Sequence, residues 1–323
     1  VTMSTLTTTR VPRAVLDSAR MIVVLALLLA VFGFTAERFL TVRTFQAVAS
    51  QIPALLVGAV GMTFVITLGA IDLSVGSLLA FGGAVLGVCL VQGGLPLPVA
   101  LLACLATGVA LGAVNALVSI TWRLPTFIVT LGMLEVARGG TYLVTKSQTQ
   151  YIGGSIEGIA EARLLGLPLP FLLALAVVAV GHVLLTRTVF GRYVVATGTN
   201  EEAVRLTGID TRRVKLVAFM IAGGTAALAA IIHTARLGAA DPNAGAGFEL
   251  QAIAAVVIGG TSLMGGRGSV IGTLFGVLII AVLDTGLAQV GAQEPVKRLI
   301  TGVVIVAAVI LDNLRARKGT RVS

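Results

Sequence analysis

The stretch that decides the fold runs from residue 51 to residue 91 and reads "QIPALLVGAVGMTFVITLGAIDLSVGSLLAFGGAVLGVCLV". It contains two apolar runs, residues 52–68 and 78–91, on either side of the polar break "GAIDLSVGS". Apolar runs of this kind cross a bilayer core of about 30 Å as helices, because no water is present there to pair with free backbone groups. An ionisable residue in such surroundings is costly and indicates function, so Asp72 in the break is a first candidate.

The composition of the whole chain agrees with a membrane location. Of 323 residues, 57% are hydrophobic and 11% are charged, whereas a soluble domain carries about 25% charged residues. The net charge of +9 comes from basic residues scattered through short loops, without aromatic neighbours on which bases could stack. This distribution argues against a nucleic-acid partner. The sequence therefore predicts an all-α integral membrane protein in contact with lipid.

Repeated apolar runs predict about ten transmembrane helices. They cover residues 21–36, 52–68, 78–91, 97–120, 126–144, 169–186, 216–234, 250–264, 270–287 and 296–311. With both termini cytoplasmic, 15 Lys and Arg residues fall in inside loops and 7 in outside loops, as the positive-inside rule requires. We therefore expect one transmembrane domain over 21–311, with cytoplasmic tails at 1–20 and 312–323. The first run is expected to remain as a helix, because no small-residue cleavage site follows it.

One loop, residues 187–215, is too polar to cross the membrane. Its centre predicts a short helix that Thr199 caps, that Glu202 completes as a capping box, and that Gly208 ends in a left-handed conformation. The helix would have an apolar edge of Ala203, Leu206 and Ile209 and a solvated face of Glu201, Glu202 and Arg205. Such a helix is either an ordinary interfacial segment or a handle for a soluble partner.

The segment "GTNEEAVRLTGI", residues 198–209, resembles the cytoplasmic loop of binding-protein-dependent ABC transporter permeases. Four further motifs extend the likeness from about residue 45 to residue 312: "GMTFVITLGAIDLSVGS", "LPTFIVTLGMLEVARGGTYLVT", "ARLGAADPNAGAGFELQAIAAVVIGGTSLMGGRGSVIGTLFG" and "VILDN". Together they resemble the permease subunit of the ribose-type sugar importers, a group that includes xylose, galactose and autoinducer-2 systems. Ala70 departs from this pattern, because the group more often has glycine there.

The resemblance implies a homodimer in a bacterial inner membrane that forms one path for a monosaccharide. Separate cytoplasmic ATPase subunits would use ATP and Mg²⁺, and an extracytoplasmic sugar-binding protein would deliver the substrate. The implied ATPase-coupling residues are Gly198, Thr199, Asn200, Glu201, Glu202, Ala203, Arg205, Leu206, Gly208 and Ile209, and the implied binding-protein contacts are Asp241, Pro242 and Asn243. The chain itself is expected to be a transport subunit without catalytic residues, cofactor or metal, since "GGTSLMGGRGS" lacks the Gly-Lys-Ser/Thr of a phosphate loop.

Two glycine-interrupted breaks, residues 69–77 and 259–269, both expected at the cytoplasmic side, point to a central pathway. Asp72 either caps the third span or lines the path, and Glu135 and Arg138 either pair or line a polar cavity. The neutral polar residues within spans suit either sugar hydroxyls or bonds between helices. The full set of path or hinge candidates is Asp72, Ser74, Gly76, Asn115, Thr126, Thr130, Glu135, Arg138, Thr261 and Asp284.

Two other functions fit parts of the sequence. A branched-chain amino acid ABC permease would have a similar architecture. An ion-coupled secondary transporter would need paired acidic residues at mid-membrane, for which Asp72, Glu135 and Asp284 are candidates. The sequence does not distinguish ribose from xylose, galactose or a signalling furanose, because selectivity in this group is expected to lie mostly with the delivery protein.

Overall fold

The computed structural model describes residues 13–37, 39–164 and 166–319. Thirteen helices are described: α1 Arg13–Thr35, α2 Val42–Thr67, α3 Val75–Val91, α4 Leu97–Trp122, α5 Thr126–Thr145, α6 Gly154–Glu161, α7 Leu169–Arg187, α8 Val189–Thr199, α9 Glu201–Leu206, α10 Thr211–Leu237, α11 Phe248–Ile258, α12 Val270–Gln289 and α13 Glu294–Gly319. The short strands are β1 Gln150–Tyr151, β2 Arg163–Leu164, β3 Leu167–Pro168 and β4 Ala239–Ala240. The outermost parts of the two predicted tails, residues 1–12 and 320–323, lie outside the described residues.

Each of the ten predicted spans falls on a helix, and the fold is an all-α membrane bundle. Six described helices are long and apolar enough to cross a bilayer: α2, α4, α5, α7, α10 and α12. The predicted end of the eighth span was wrong, because α11 ends at Ile258 and not at residue 264. A Schellman pair of hydrogen bonds ends it: Gly260 donates to Val257 and Thr261 donates to Val256.

Helix α10 lies at the centre of the bundle and packs against α2, α3 and α4. Its contact with α4 is close because Gly108 and Gly112 face the backbone of Gly223 and Phe219. A Cβ at Gly108 would lie 2.6 Å from the Ala227 methyl group, inside van der Waals contact. Without a hydrophobic driving force between helices in lipid, such approaches supply the packing that holds the bundle together.

The two ends of the bundle carry different structures. One end, here the α9 end, carries α8 and α9, the end of α2 and the start of α10. At the opposite end, β1 pairs with β4 in an antiparallel register that matches Gln150 with Ala240. Gly87, near the end of α3, packs against both of these residues. Helix α3 therefore runs toward the strand end.

Two short helices, α3 and α11, begin inside the bundle. Phe248, the first residue of α11, packs on Gly58, which lies about nine residues or roughly 14 Å from the α9 end of α2. Ser74, just before α3, accepts a hydrogen bond from Asn115 of α4, about seven residues or roughly 10 Å from the end of that helix. The amino ends of α3 and α11 face each other here, since Gly76 contacts Gly245. Both are broken helices that start at depth.

Candidate functional site

The polar loop of residues 187–215 forms two helices, α8 and α9, instead of the one that was predicted. Asn200 separates them and adopts an extended conformation, and its side chain accepts a hydrogen bond of 3.0 Å from the Ala203 nitrogen. The predicted cap, Thr199, was wrong: it is the last residue of α8, and its hydroxyl donates to the Val195 carbonyl. Gly208 has a φ of 84°, the left-handed conformation expected after the helix.

Helix α9 presents charged and apolar side chains outward. Glu202 does not complete a capping box but forms a 2.7 Å ion pair with Arg205 one turn later. Glu201 forms a 2.6 Å ion pair with Lys215 of α10, which fixes α9 against the bundle. The predicted apolar edge was wrong, because Leu206 is 80% exposed. Val204 is instead the buried apolar residue of α9, with Ala203 exposed and Ile209 half-buried.

The first break, residues 69–77, is built around a buried carboxylate. Asp72 is fully buried, and its Oδ1 accepts hydrogen bonds from the Ser74 nitrogen (2.9 Å) and the Ser74 hydroxyl (2.6 Å). Ser74 in turn accepts from the Asn115 amide at 2.9 Å. The carboxylate thus holds the residue that precedes α3 and not the donors of its first turn. Among the described residues, Asp72 Oδ2, Asn115 Oδ1 and Ser77 Oγ make no hydrogen bond.

The extended part of the first break is bonded to α5. The Thr126 hydroxyl accepts from the Ile71 nitrogen at 3.3 Å. The Thr130 hydroxyl accepts from the Leu73 nitrogen at 3.1 Å and donates to the Ile71 carbonyl at 3.2 Å. These threonines therefore satisfy backbone groups that leave the helical ladder, the second of the two roles open to them from the sequence.

The second break, residues 259–269, is closed mainly by its own hydrogen bonds. The buried Thr261 hydroxyl accepts from the Ser269 nitrogen, and Ser262 donates to the Arg267 carbonyl at 3.0 Å. Ser269 caps α12 through a 2.9 Å bond from the Gly272 nitrogen. The break lies at the α9 end beside residue 69, because Gly265 contacts both Gly69 and Gly198. The two breaks thus share one end of the bundle with α8 and α9.

Arg138 does not pair with Glu135, which was one of the two alternatives open from the sequence. Its guanidinium donates two hydrogen bonds of 2.8 Å, to the carbonyls of Pro242 and Ala244 in the segment before α11. The neighbouring Tyr142 hydroxyl lies 2.9 Å from the Asn243 Oδ1 atom. These bonds attach α5 to the segment that leads into α11. Glu135 remains exposed on α5.

The candidate residues do not all gather at one point. Asp72, Ser74 and Asn115 form one hydrogen-bonded cluster that Thr130 adjoins through the backbone, whereas Asp284 is exposed on α12. Gly76 is buried against Glu249 and Gly245 at the meeting of the broken helices. Of the implied binding-protein contacts, Asn243 is exposed, Asp241 is partly exposed, and Pro242 is buried.

Sequence reasoning missed two features of the site. One is the contact that the Glu249 carboxylate makes with Gly76. The other is the close approach of Gly198 to the carbonyl of Thr67 and the nitrogen of Gly266. The number of glycines in both breaks was a signal that backbones approach closely there, although the sequence could not show which segments meet.

The structure is a bundle of apolar helices in which two helices begin at depth and the two short helices α8 and α9 lie at one end. This arrangement defines a helical membrane permease. The chain belongs to a permease family whose model, described as "Branched-chain amino acid transport system / permease component", matches residues 44–309. It is 39% identical over 306 residues to the ribose import permease of Escherichia coli K12, covering 93% of this chain and 95% of that protein.

Two further relatives extend the comparison. The D-allose transport system permease of Escherichia coli K12 is 37% identical over 295 residues, covering 90% of each chain. The xylose transport system permease of the same organism is 33% identical over 357 residues, covering 91% of each chain. No solved structure matches this chain significantly. The chain is thus the permease subunit of an ABC importer. It is a membrane transport component and not an enzyme.

Proposed function

We propose that this chain forms the translocation path of an ABC importer for a monosaccharide. Three relatives whose names specify ribose, D-allose and xylose each cover at least 90% of the chain, so the likeness extends over the whole membrane domain. The family description also names branched-chain amino acids, but the named relatives favour a small polyhydroxylated cargo. An aldopentose or aldohexose is the substrate class we propose.

The coupling segment, residues 198–209, is the proposed ATPase-docking element. Its exposure and rigidity carry this proposal: Leu206 is 80% exposed at the tip of α9, while the Glu201–Lys215 ion pair and the Asn200 cap fix the helix. An exposed leucine beside solvated charges is the composition of a docking surface, with an apolar anchor and a polar rim. ATP and Mg²⁺ are proposed to bind to the partner ATPase subunits.

Two copies of the chain are proposed to form one path between them. The face of α5 supports this arrangement: open space surrounds Gly132 and Gly139, and Leu131, Glu135 and Val136 are exposed beside them. We further propose that ten segments cross the membrane, two of them with the helices α3 and α11 that begin at depth, that both termini and the α9 end are cytoplasmic, and that the strand end receives a sugar-binding protein. Asp241 and Asn243 are the proposed contacts at that end.

Substitution of the exposed leucine tests the docking proposal. Leu206→Asp replaces an apolar anchor by a charge and should reduce co-purification of the partner ATPase at least tenfold, since losing a buried anchor at an interface costs about 2 kcal/mol or more. Leu164→Asp is the matched control, because Leu164 is 58% exposed on the loop that β2 and β3 form. Equal ATPase recovery with both variants would refute the assignment of α9.

Reconstituted transport tests the cargo and the energy source. Proteoliposomes that contain the chain, its co-purifying ATPase and its binding protein should take up radiolabelled D-ribose, D-allose or D-xylose only when ATP is present. An ionophore should leave this uptake unchanged. Uptake of leucine but of none of these sugars would favour the amino acid alternative, and ATP-independent uptake that an ionophore abolishes would favour the ion-coupled one.

A further inference from the structure

Three backbone segments meet at one point of the α9 end: the end of α2, the end of α8, and the loop between α11 and α12. The Gly266 nitrogen donates a 2.9 Å hydrogen bond to the Thr67 carbonyl. Gly198 of α8 packs on the same pair, and a Cβ there would lie 2.6 Å from the Gly266 nitrogen and closer still to the Thr67 oxygen. Gly265 touches Gly69 and the Gly198 carbonyl in the same way. We call these five residues the glycine joint.

The glycine joint connects the coupling segment, which begins at Gly198, to both breaks. On one side, Asn200 alone separates α8 from α9, and the Asn200 nitrogen donates to the Ala196 carbonyl of α8 at 3.0 Å. Asn200, which caps α9, is therefore bonded to α8 as well. A displacement of α9 reaches the joint through a single turn of helix.

On its other side, the joint leads to the two broken helices. Gly69 stands about six residues before the start of α3, and Gly265 stands in the loop that follows α11. The amino ends of α3 and α11 contact each other at Gly76 and Gly245. Because backbone touches backbone at the joint, the contacts have no flexible side chain that could absorb a movement. A shift of α8 must therefore either move both breaks with it or disrupt the backbone contacts of the joint.

We propose that the glycine joint transmits the movement of α9 to the first break, which leads into α3, and to the second break, which follows α11, with Gly198 as its positioning residue. This inference rests on the proposed function, in which an ATPase grips α9. Within the segment 198–209, it limits the docking surface to the exposed residues and assigns Gly198 a different role, because Gly198 transmits the movement and does not bind the ATPase.

The variant Gly198→Ala tests the joint, with Gly158→Ala as its control. A methyl group at Gly198 would meet backbone atoms on two sides, whereas nothing lies within 4 Å of a Cβ at Gly158 in α6. In proteoliposomes with the ATPase and the binding protein, Gly198→Ala should keep ATPase recruitment and lower the D-ribose transported per ATP hydrolysed at least tenfold. Gly158→Ala should keep the wild-type ratio.

A second pair of variants keeps the test valid if Gly198→Ala does not fold. A Cβ at Gly268 would overlap the Thr67 hydroxyl, but would lie 3.0 Å from the Thr67 Cβ. Gly268→Ala should therefore lower the transport ratio, and Thr67→Ala in the same chain should restore part of it.

Three results would overturn the proposal: a wild-type ratio for Gly198→Ala, a loss of ATPase recruitment that parallels the loss of transport in a folded Gly198→Ala protein, or no rescue of Gly268→Ala by Thr67→Ala. Failure of the proposed function gives a different result. In that case the wild-type chain itself recruits no ATPase, and the joint proposal fails with it.

Discussion

The two breaks stop their helices with the same hydrogen-bond pair and then form different structures. After α2, Gly69 donates to Ile66 and Ala70 to Val65, and after α11, Gly260 donates to Val257 and Thr261 to Val256. The first break then runs extended along α5 and depends on Thr126, Thr130 and Asn115 for its bonds. The second closes on itself through Thr261 and Ser269. One break is held by the bundle, and the other is mainly held by its own residues.

This difference indicates which break can change its position. A loop that supplies its own hydrogen bonds can move as a unit, while a segment bonded to neighbouring helices must move with them or lose those bonds. We therefore expect the loss of a side-chain hydrogen bond to destabilise the protein more in the first break than in the second.

Removal of the buried carboxylate should give the largest effect. Asp72→Leu leaves the Ser74 nitrogen and hydroxyl without their acceptor inside the protein, at a cost of about 3 kcal/mol in free energy of unfolding. Denaturation of the purified protein in detergent measures this value. Asp72→Asn keeps an acceptor oxygen and should recover at least half of the loss. Equal destabilisation by the two variants would show that the loss of the acceptor oxygen does not cause the decrease in stability.

The threonines of α5 should give an intermediate effect. Thr130→Val removes an acceptor for the Leu73 nitrogen and a donor to the Ile71 carbonyl, and should cost about 2 kcal/mol. Thr126→Val removes a single bond of 3.3 Å and should cost about half as much. The same denaturation assay ranks the two variants. The reverse order would mean that α5 does not hold the first break as described.

The second break should tolerate change best. Ser269→Ala removes the cap of α12 and should cost about 1 kcal/mol in free energy of unfolding. Arg267→Ala is a matched control in the same loop, because its side chain is exposed and its carbonyl, which accepts from Ser262, is retained; this change should stay within about 0.5 kcal/mol. If Ser269→Ala destabilises the protein as much as Asp72→Leu, the two breaks do not differ in the way proposed.

The sequence by itself determined the features that depend on neighbouring residues. Hydropathy placed all ten predicted spans on helices, and Gly208 identified the end of α9, because helix formation and left-handed turns are set within a few residues. The predicted position of the α9 cap was wrong by one residue, because it fell on Thr199 and not on Asn200. Both residues are good caps, and the extended conformation of Asn200 is what selects it.

Only the tertiary structure decided the features that join distant residues. Arg138 bonds to carbonyls more than 100 positions away and not to Glu135 one turn away, and Gly198 packs against Thr67. The sequence placed the first break at the cytoplasmic side, and only the structure shows that it reaches inward to Ser74, which meets Asn115 inside the bundle. In each case the partner is chosen by which backbones approach closely, and that depends on the packing of the whole bundle and not on spacing along the chain.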